Sequence, residues 1–189
     1  IVGEPLEKFR IAKPFVLRTI SPTPRDFELR LVEGVERMGK KIVVAFQQDR
    51  YLVLHLMIAG RLRWSEVSGA KLPFKIGIAA LDFPNGTLVL TEASTKHRAA
   101  MYLVQGRNKL DAMRSNGADV FSINATRFLE ILQRENRTLK RALTNPDWFD
   151  GIGNAYSDEI LHHARLSPLR MTNALALNEA ETLLESCKA

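Results

Sequence analysis

Between Leu6 and Val104 apolar residues recur with period two, in short runs broken by turn residues, and this pattern confines the first half of the chain to β-strands. The runs are 6–12, 32–37, 40–46 entered through Gly39, 51–57, 61–66, 76–83, 87–91 and 97–105. Gln47 to Arg50 reads as a turn. Pro84-Asn85-Gly86 joins two alternating runs, and Asn-Gly in that setting is a strong short-range hairpin signal. About eight antiparallel strands joined by tight turns predict a β-sandwich or flattened barrel. From Gly106 the period changes. Residues 106–124, with the turn Ser115-Asn116-Gly117, read as a linker, and helices follow. A helix over 125–135 would bury Phe128, Ile131 and Leu132 on one face. A short helical segment spans 137–144, another helix starts near Asn154, Pro168 helps end that unit, and Asn178 with Glu181 reads as the capping box of a last helix. The fold class is therefore α+β: an eight-stranded antiparallel β-sandwich over 1–105, then a helical domain over 125–189.

Within the helical half, NPDWFDGIGNAYSDEIL (Asn145 to Leu161) breaks regularity twice, at Asn145-Pro146 and at Gly151 and Gly153. Glycines ahead of a helix let the chain turn sharply and bring its first free N–H groups close to a ligand. Such a terminus attracts phosphate through its amides and the helix dipole, and Lys140 and Asn154 would add a charge and an amide donor. A helix hairpin with a glycine turn explains the same residues without a ligand.

Composition narrows the partners. The chain of 189 residues has 46% hydrophobic and 25% charged residues, ordinary for a globular protein. Its longest apolar candidate, Tyr51 to Gly60, is interrupted by His55 and falls short of the roughly 20 residues a membrane helix needs. Lys plus Arg exceed Asp plus Glu by 27 to 21, a net charge of +6 that favours polyanionic partners. The single cysteine, Cys187, has no partner for an internal disulfide, fits a reducing compartment and excludes a four-cysteine zinc site. His162 and His163 are adjacent, diverge on a helix and suggest no metal site.

Three features of the first half admit two readings each. Lys40 and Lys41 enter an apolar strand, so they point to opposite sides, either as charges that keep a strand end soluble or as one functional lysine. His55 in YLVLHLMIAG is a satisfied core histidine or a working one. Lys96-His97-Arg98 is a solvated edge or a phosphate contact.

GIGNAYSDE resembles the helix-two-turns-helix signature of the formamidopyrimidine-DNA glycosylase and endonuclease VIII family, in which a lysine, two residues and a leucine precede GxGNxYxxE. Lys140, Leu143, Gly151, Gly153, Asn154, Tyr156 and Glu159 match it at that spacing. The resemblance covers essentially all 189 residues. It implies a helix-two-turns-helix DNA-binding domain in which Lys140 and Asn154 hold a phosphate beside a damaged nucleotide, with Gly151, Gly153 and Tyr156 in the same DNA-binding element. RMGKKIVVAF is similar to the family's strand with an active-site lysine, which falls on Lys40. LHLMIAGRL is similar to the HLGMSGxL segment, which places His55 near the scissile phosphates and Ile58 where the family has a void-filling methionine. NGTLVLTEASTKHRA loosely parallels the segment ending DPRRFG, bringing Lys96 and Arg98 into the DNA-binding set, although no phenylalanine follows.

The resemblance implies a bifunctional DNA glycosylase and abasic-site lyase of base excision repair acting on oxidised bases. Its nucleophile is the amine of an amino-terminal proline, and an α-amine titrating near pH 8 is partly neutral at physiological pH. That amine attacks C1′ of a flipped-out nucleotide, and the Schiff base leads to strand scission, with a neighbouring glutamate as acid and base. Neither residue opens this chain, and Pro5 has its nitrogen in a peptide bond. By the resemblance roughly 20 residues before Ile1 and a zinc finger after Ala189 lie outside these residues. The expectation is that residues 1–189 are inactive alone and carry no cofactor, the family's structural zinc belonging to that finger. Double-stranded damaged DNA is the expected partner, bound by a monomer with no membrane involved, in a bacterial cytoplasm with the nucleoid or in a eukaryotic nucleus. A non-catalytic DNA-binding module that keeps the fold is the alternative, and an RNA-binding protein fits the charge but not the β-rich first half.

Overall fold

The computed structural model describes all of residues 1–189, which form two compact units, Ile1–Met113 and Arg114–Ala189. The first unit holds eight strands, β1 (Lys8–Ile11), β2 (Val32–Met38), β3 (Lys41–Phe46), β4 (Arg50–His55), β5 (Gly60–Ser65), β6 (Gly77–Phe83), β7 (Gly86–Glu92) and β8 (Ala100–Gln105). They make two four-stranded antiparallel sheets, ordered β1-β6-β7-β5 and β2-β3-β4-β8. The sandwich expected from the period-two runs is the one observed.

Alternation explains the core. Phe9, Leu81, Phe83 and Leu90 of one sheet meet Val44, Phe46, Leu52, Leu54 and Met101 of the other. Phe27, brought in by a 3-10 turn (Pro24–Phe27), sets its ring edge-on against Phe46 at 5.4 Å. The second sheet is buried on both faces, since Val43, Tyr51, Val53 and Val104 pack with Leu110 of a short helix, α1 (Arg107–Asp111). That double burial is why YLVL reads as a continuous apolar run rather than an alternating one. At the β6–β7 hairpin a Cβ on Gly86 would lie 2.3 Å from the Ser65 carbonyl oxygen and 2.5 Å from the Trp64 ring, so only glycine fits the close passage of β5.

The second unit contains β9 (Ala118–Asp119), α2 (Ala125–Leu132), α3 (Leu139–Leu143), β10 (Phe149–Asp150), α4 (Asn154–His163), a 3-10 turn (Thr172–Ala174) and α5 (Leu177–Lys188). Asn124 caps α2 by accepting from the Arg127 N–H at 2.9 Å, and Phe128, Ile131 and Leu132 are buried as the spacing requires. Buried Thr172 ties the entry of α3 to the segment after α4. Its hydroxyl donates to the Glu135 carbonyl at 2.9 Å and accepts from the Arg137 N–H at 3.1 Å.

The division between the units, after Met113, falls within the stretch 106–124, which carries α1 and β9, and β9 pairs in parallel with β10. Two local expectations are corrected. The last helix is not capped by Asn178 and Glu181. Glu179 accepts from the Ala176 N–H at 3.0 Å while Arg170 grips its carboxylate at 2.6 and 2.7 Å, and this shifts the helix start to Leu177. The run from His97 does not begin as strand either. His97 adopts φ +37° in a turn, and β8 starts at Ala100.

Candidate nucleic-acid interface

At one end of the sandwich the strand register collects the candidate residues of the first unit. Met38 pairs with Lys41 across the β2–β3 turn, and Ile42 pairs with Leu54, so one step further Lys41 lies beside His55, which pairs with Ala100. The two lysines diverge as expected: Lys40 is exposed in the turn, while half-buried Lys41 donates to the Met113 carbonyl at 3.0 Å. His55 is half-buried, and its pKa falls below the ordinary histidine value because burial disfavours the charge and because Lys41 and Lys40 repel a proton.

Two loops leave this end. Leu56 to Ala59 follows β4, and Ile58 at its tip is 83% exposed, held out by Arg61, which donates to the Ile58 and Gly60 carbonyls at 2.9 and 2.7 Å. Gly60 is required to close this loop, since a Cβ there would sit 2.3 Å from the Leu56 carbonyl oxygen. The second loop, 93–99, carries Lys96 and Arg98, both exposed. Its anchor is a residue that sequence reasoning missed. Glu92, 2% exposed at the end of β7, accepts from the N–H groups of Arg98 and Ala99 at 2.8 and 3.2 Å, and its other oxygen lies 3.8 Å from His97 Nδ1. The signal was a carboxylate closing the apolar strand LVLTE. Lys40, Lys96 and Arg98 are exposed and make no ion pair, while the one carboxylate of this end, that of Glu92, is buried.

In the second unit the turn before α4 is built from backbone. Asn145 accepts from the Trp148 and Phe149 amides through its carbonyl at 3.1 and 3.0 Å, and β10 then pairs with β9. A Cβ on Gly117, just before β9, would lie 2.4 Å from the Pro146 oxygen and 2.8 Å from Asp150 N. Gly151 takes φ +90°, a conformation that favours glycine, whereas Gly153 is extended at φ −107° and acts as the helix N-cap. Only the first of the two glycines is needed for its backbone angle.

The first bond of α4 runs from the Ser157 N–H to the Gly153 carbonyl at 2.9 Å. The N–H groups of Asn154, Ala155 and Tyr156 point out of the helix end with no protein acceptor, and no side chain caps them. Asn154 and Tyr156 are exposed, with Tyr156 at 74%. Lys140 comes to this helix through a contact that the sequence did not suggest: its ammonium donates to both carboxylate oxygens of Asp158 at 2.8 Å each. Asp158 is four residues from Asn154 and so lies one turn along the same face. Leu143 of the motif is fully buried in the core of the unit, and Glu159 is exposed. His163 Nδ1 lies 2.9 Å from the Ser186 hydroxyl, and no three His, Cys, Asp or Glu side chains gather as a metal-ligand set.

Comparison with known proteins decides the family. The profile described as the formamidopyrimidine-DNA glycosylase N-terminal domain matches residues 1–102, and that described as the formamidopyrimidine-DNA glycosylase H2TH domain matches residues 117–189. The chain belongs to the formamidopyrimidine-DNA glycosylase family. Among curated relatives, the formamidopyrimidine-DNA glycosylase of Mycoplasma genitalium is 24% identical over 190 residues, covering 98% of this chain and 66% of its own length. That of a Roseiflexus species is 29% identical over 174 residues, covering 89% and 63%. The chain thus spans about two thirds of the length of these relatives. The Lactococcus lactis glycosylase, solved non-covalently bound to DNA containing an abasic site, superimposes with a TM-score of 0.85 at 22% identity, covering 98% of this chain and 72% of that one. MutM in complex with DNA containing carbocyclic 8-oxo-G gives 0.85 at 21%, covering 98% and 70%. The sandwich and the helical unit are therefore the fold of the formamidopyrimidine-DNA glycosylases.

Proposed function

We propose that the protein is a DNA glycosylase of base excision repair that binds double-stranded DNA, removes oxidised bases and nicks the resulting abasic site through a Schiff base. The observation that carries this reading is the start of α4. Three outward amides, Asn154 and Lys140 stand there at the family's spacing, and such a terminus suits a phosphate. Support comes from the second cationic assembly at the sandwich end and from the family membership.

In this reading Lys140, Asn154, His55, Lys96 and Arg98 hold backbone phosphates, with Gly151, Gly153 and Tyr156 shaping the helical contact. Lys40, free of any carboxylate, assists at the lesion. Ile58, exposed at a loop tip, fills the space left by the flipped base. Phosphate contacts position the duplex and carry no sequence information, so recognition of damage rests on base extrusion. The amine that forms the imine is an amino-terminal proline nitrogen.

The test is borohydride trapping on a duplex with one abasic site, run on residues 1–189 and on the protein expressed from its natural start codon. The natural-start protein is expected to form a covalent adduct and residues 1–189 to form none. Binding to the abasic duplex with no adduct from the natural-start protein would overturn the lyase and leave a DNA-binding body.

A further inference from the structure

The helical anion site holds a charge of the wrong sign. Asp158 lies on the face of α4 that carries Asn154, and both its oxygens accept from the Lys140 ammonium at 2.8 Å. Of the three N–H donors of that ammonium, two are already engaged. A phosphate arriving at the outward amides of α4 meets a lysine whose charge is neutralised by a carboxylate one helical turn away. Both partners are partly exposed, Lys140 by 35% and Asp158 by 53% of their side chains, so the pair is free to open.

We propose that Asp158 is a built-in competitor for the phosphate at Lys140, one that weakens the protein's sequence-independent grip on duplex DNA; this rests on the phosphate role proposed above for Lys140. Two effects of the carboxylate oppose each other. It holds the ammonium against the first turns of α4, but an exposed ion pair contributes little to holding a flexible lysine in place. It also sets a full negative charge close to an incoming phosphate and withholds two of the ammonium's donors. Repulsion over a few ångströms at a partly exposed site is the larger effect. Phosphate capture then requires Lys140 to be shared or exchanged, which makes the contact quick to release. Such a contact suits an enzyme that must leave undamaged duplex to find rare lesions.

The experiment compares Asp158→Asn, Lys140→Ala and a control, Glu181→Gln, in the natural-start protein. Glu181 is exposed on α5 and makes no ion pair, so its neutralisation changes net charge by the same amount at another place. Binding to an undamaged duplex is followed by fluorescence anisotropy across salt concentrations. D158N is expected to tighten binding about three- to tenfold near 0.1 M salt, beyond any gain from E181Q, and to slow dissociation. The slope of log affinity against log salt should steepen by about 0.9, the value of one further neutralised phosphate. Weaker binding by D158N would mean that the carboxylate orients Lys140, and a gain no larger than that of E181Q would mean a general charge effect. Either result overturns the proposal alone, provided that K140A weakens binding. Unchanged binding by K140A would remove the phosphate role of Lys140 and this inference with it.

Discussion

The two units offer an anion in different ways. At the sandwich end the attraction comes from side chains, Lys40, Lys96 and Arg98, which are exposed and make no ion pair. At the helical unit it comes from the backbone, the unpaired amides at the start of α4, because the one lysine nearby is matched by Asp158. Side-chain charges act over distance, lapse with salt and are removed one at a time. Helix amides act at contact, are insensitive to most substitutions and fail only when the turn that aims them is disturbed. The sandwich end is therefore suited to drawing a polyanion in, and the helix start to fixing where it stops.

The largest expected effect tests whether the helical site depends on its turn. Gly117→Val would place a side chain within 2.4 to 2.8 Å of backbone atoms of Pro146, Phe149 and Asp150, all of them in the segment leading to α4. The strain has no flexible neighbour to absorb it, and a loss of about 2–4 kcal/mol is expected. Trp148 in this unit, observed in a Trp64→Phe background, should report an earlier unfolding transition. An unchanged transition would show that the β9–β10 pairing does not set the turn.

The second effect belongs to the sandwich end. Glu92→Ala removes the carboxylate that holds the amides of Arg98 and Ala99, leaving a buried donor unpaired at a cost of about 1–3 kcal/mol. Glu92→Gln keeps an acceptor oxygen and should lose much less. Hydrogen exchange at these two amides should quicken in the alanine variant while exchange in β3 and β4 stays slow. Equal protection in both variants would mean that the loop is held by the Phe15–His97 ring contact instead.

How much of this was legible beforehand follows from what kind of interaction carries each part. The eight strands, the Asn85-Gly86 hairpin and the buried face of α2 all express local periodicity or turn chemistry, and a sequence displays both. The motif Lys140 to Glu159 was legible as a spacing, and the outward amides of Asn154 to Tyr156 follow from the glycine-led helix start. The missed features are pairings between distant residues. Asp158 is 18 residues from Lys140, and Glu92 acts on amides six and seven residues on, through a loop whose shape no local rule gives. Gly117 looked like an ordinary turn glycine, and only the approach of residues 146–150 shows why a side chain is excluded there. The shift of the α5 cap from Glu181 to Glu179 has the same origin, since Arg170 chooses the glutamate.

A third, smaller effect sharpens the comparison in solution. Alanine at Lys96 or Arg98 should each lower the salt slope of duplex binding by up to about 0.9. Asn154→Ala should weaken binding and leave the slope unchanged, because it removes a donor and no charge. A slope change in N154A equal to that of K96A or R98A would break the distinction between a charged site and a backbone site.

The smallest effect concerns the one member of the sandwich-end group that is not a permanent charge. In the folded chain the pKa of His55 is depressed, by burial first and then by Lys41 and Lys40, so the neutral ring predominates at pH 7. The unfolded chain takes up its proton as pH falls through about 6.5, before the folded chain does, and stability must therefore decline below that pH until the folded ring also protonates. About a pH unit above that value both states are largely neutral and His55 contributes little pH dependence. Wild type should lose more stability than His55→Gln between pH 7.5 and 5.5 in denaturant unfolding. Replacing Lys40 and Lys41 by Gln should raise the His55 pKa, followed by NMR, without restoring the ordinary value, since burial is the larger cause. A neutral ring meets a phosphate as a hydrogen-bond donor and releases no counterion at neutral pH. Thus H55Q should leave the salt slope unchanged at pH 7.5, behaving like Asn154 despite lying among the lysines; a slope lowered by one full charge would show that the ring is protonated on DNA.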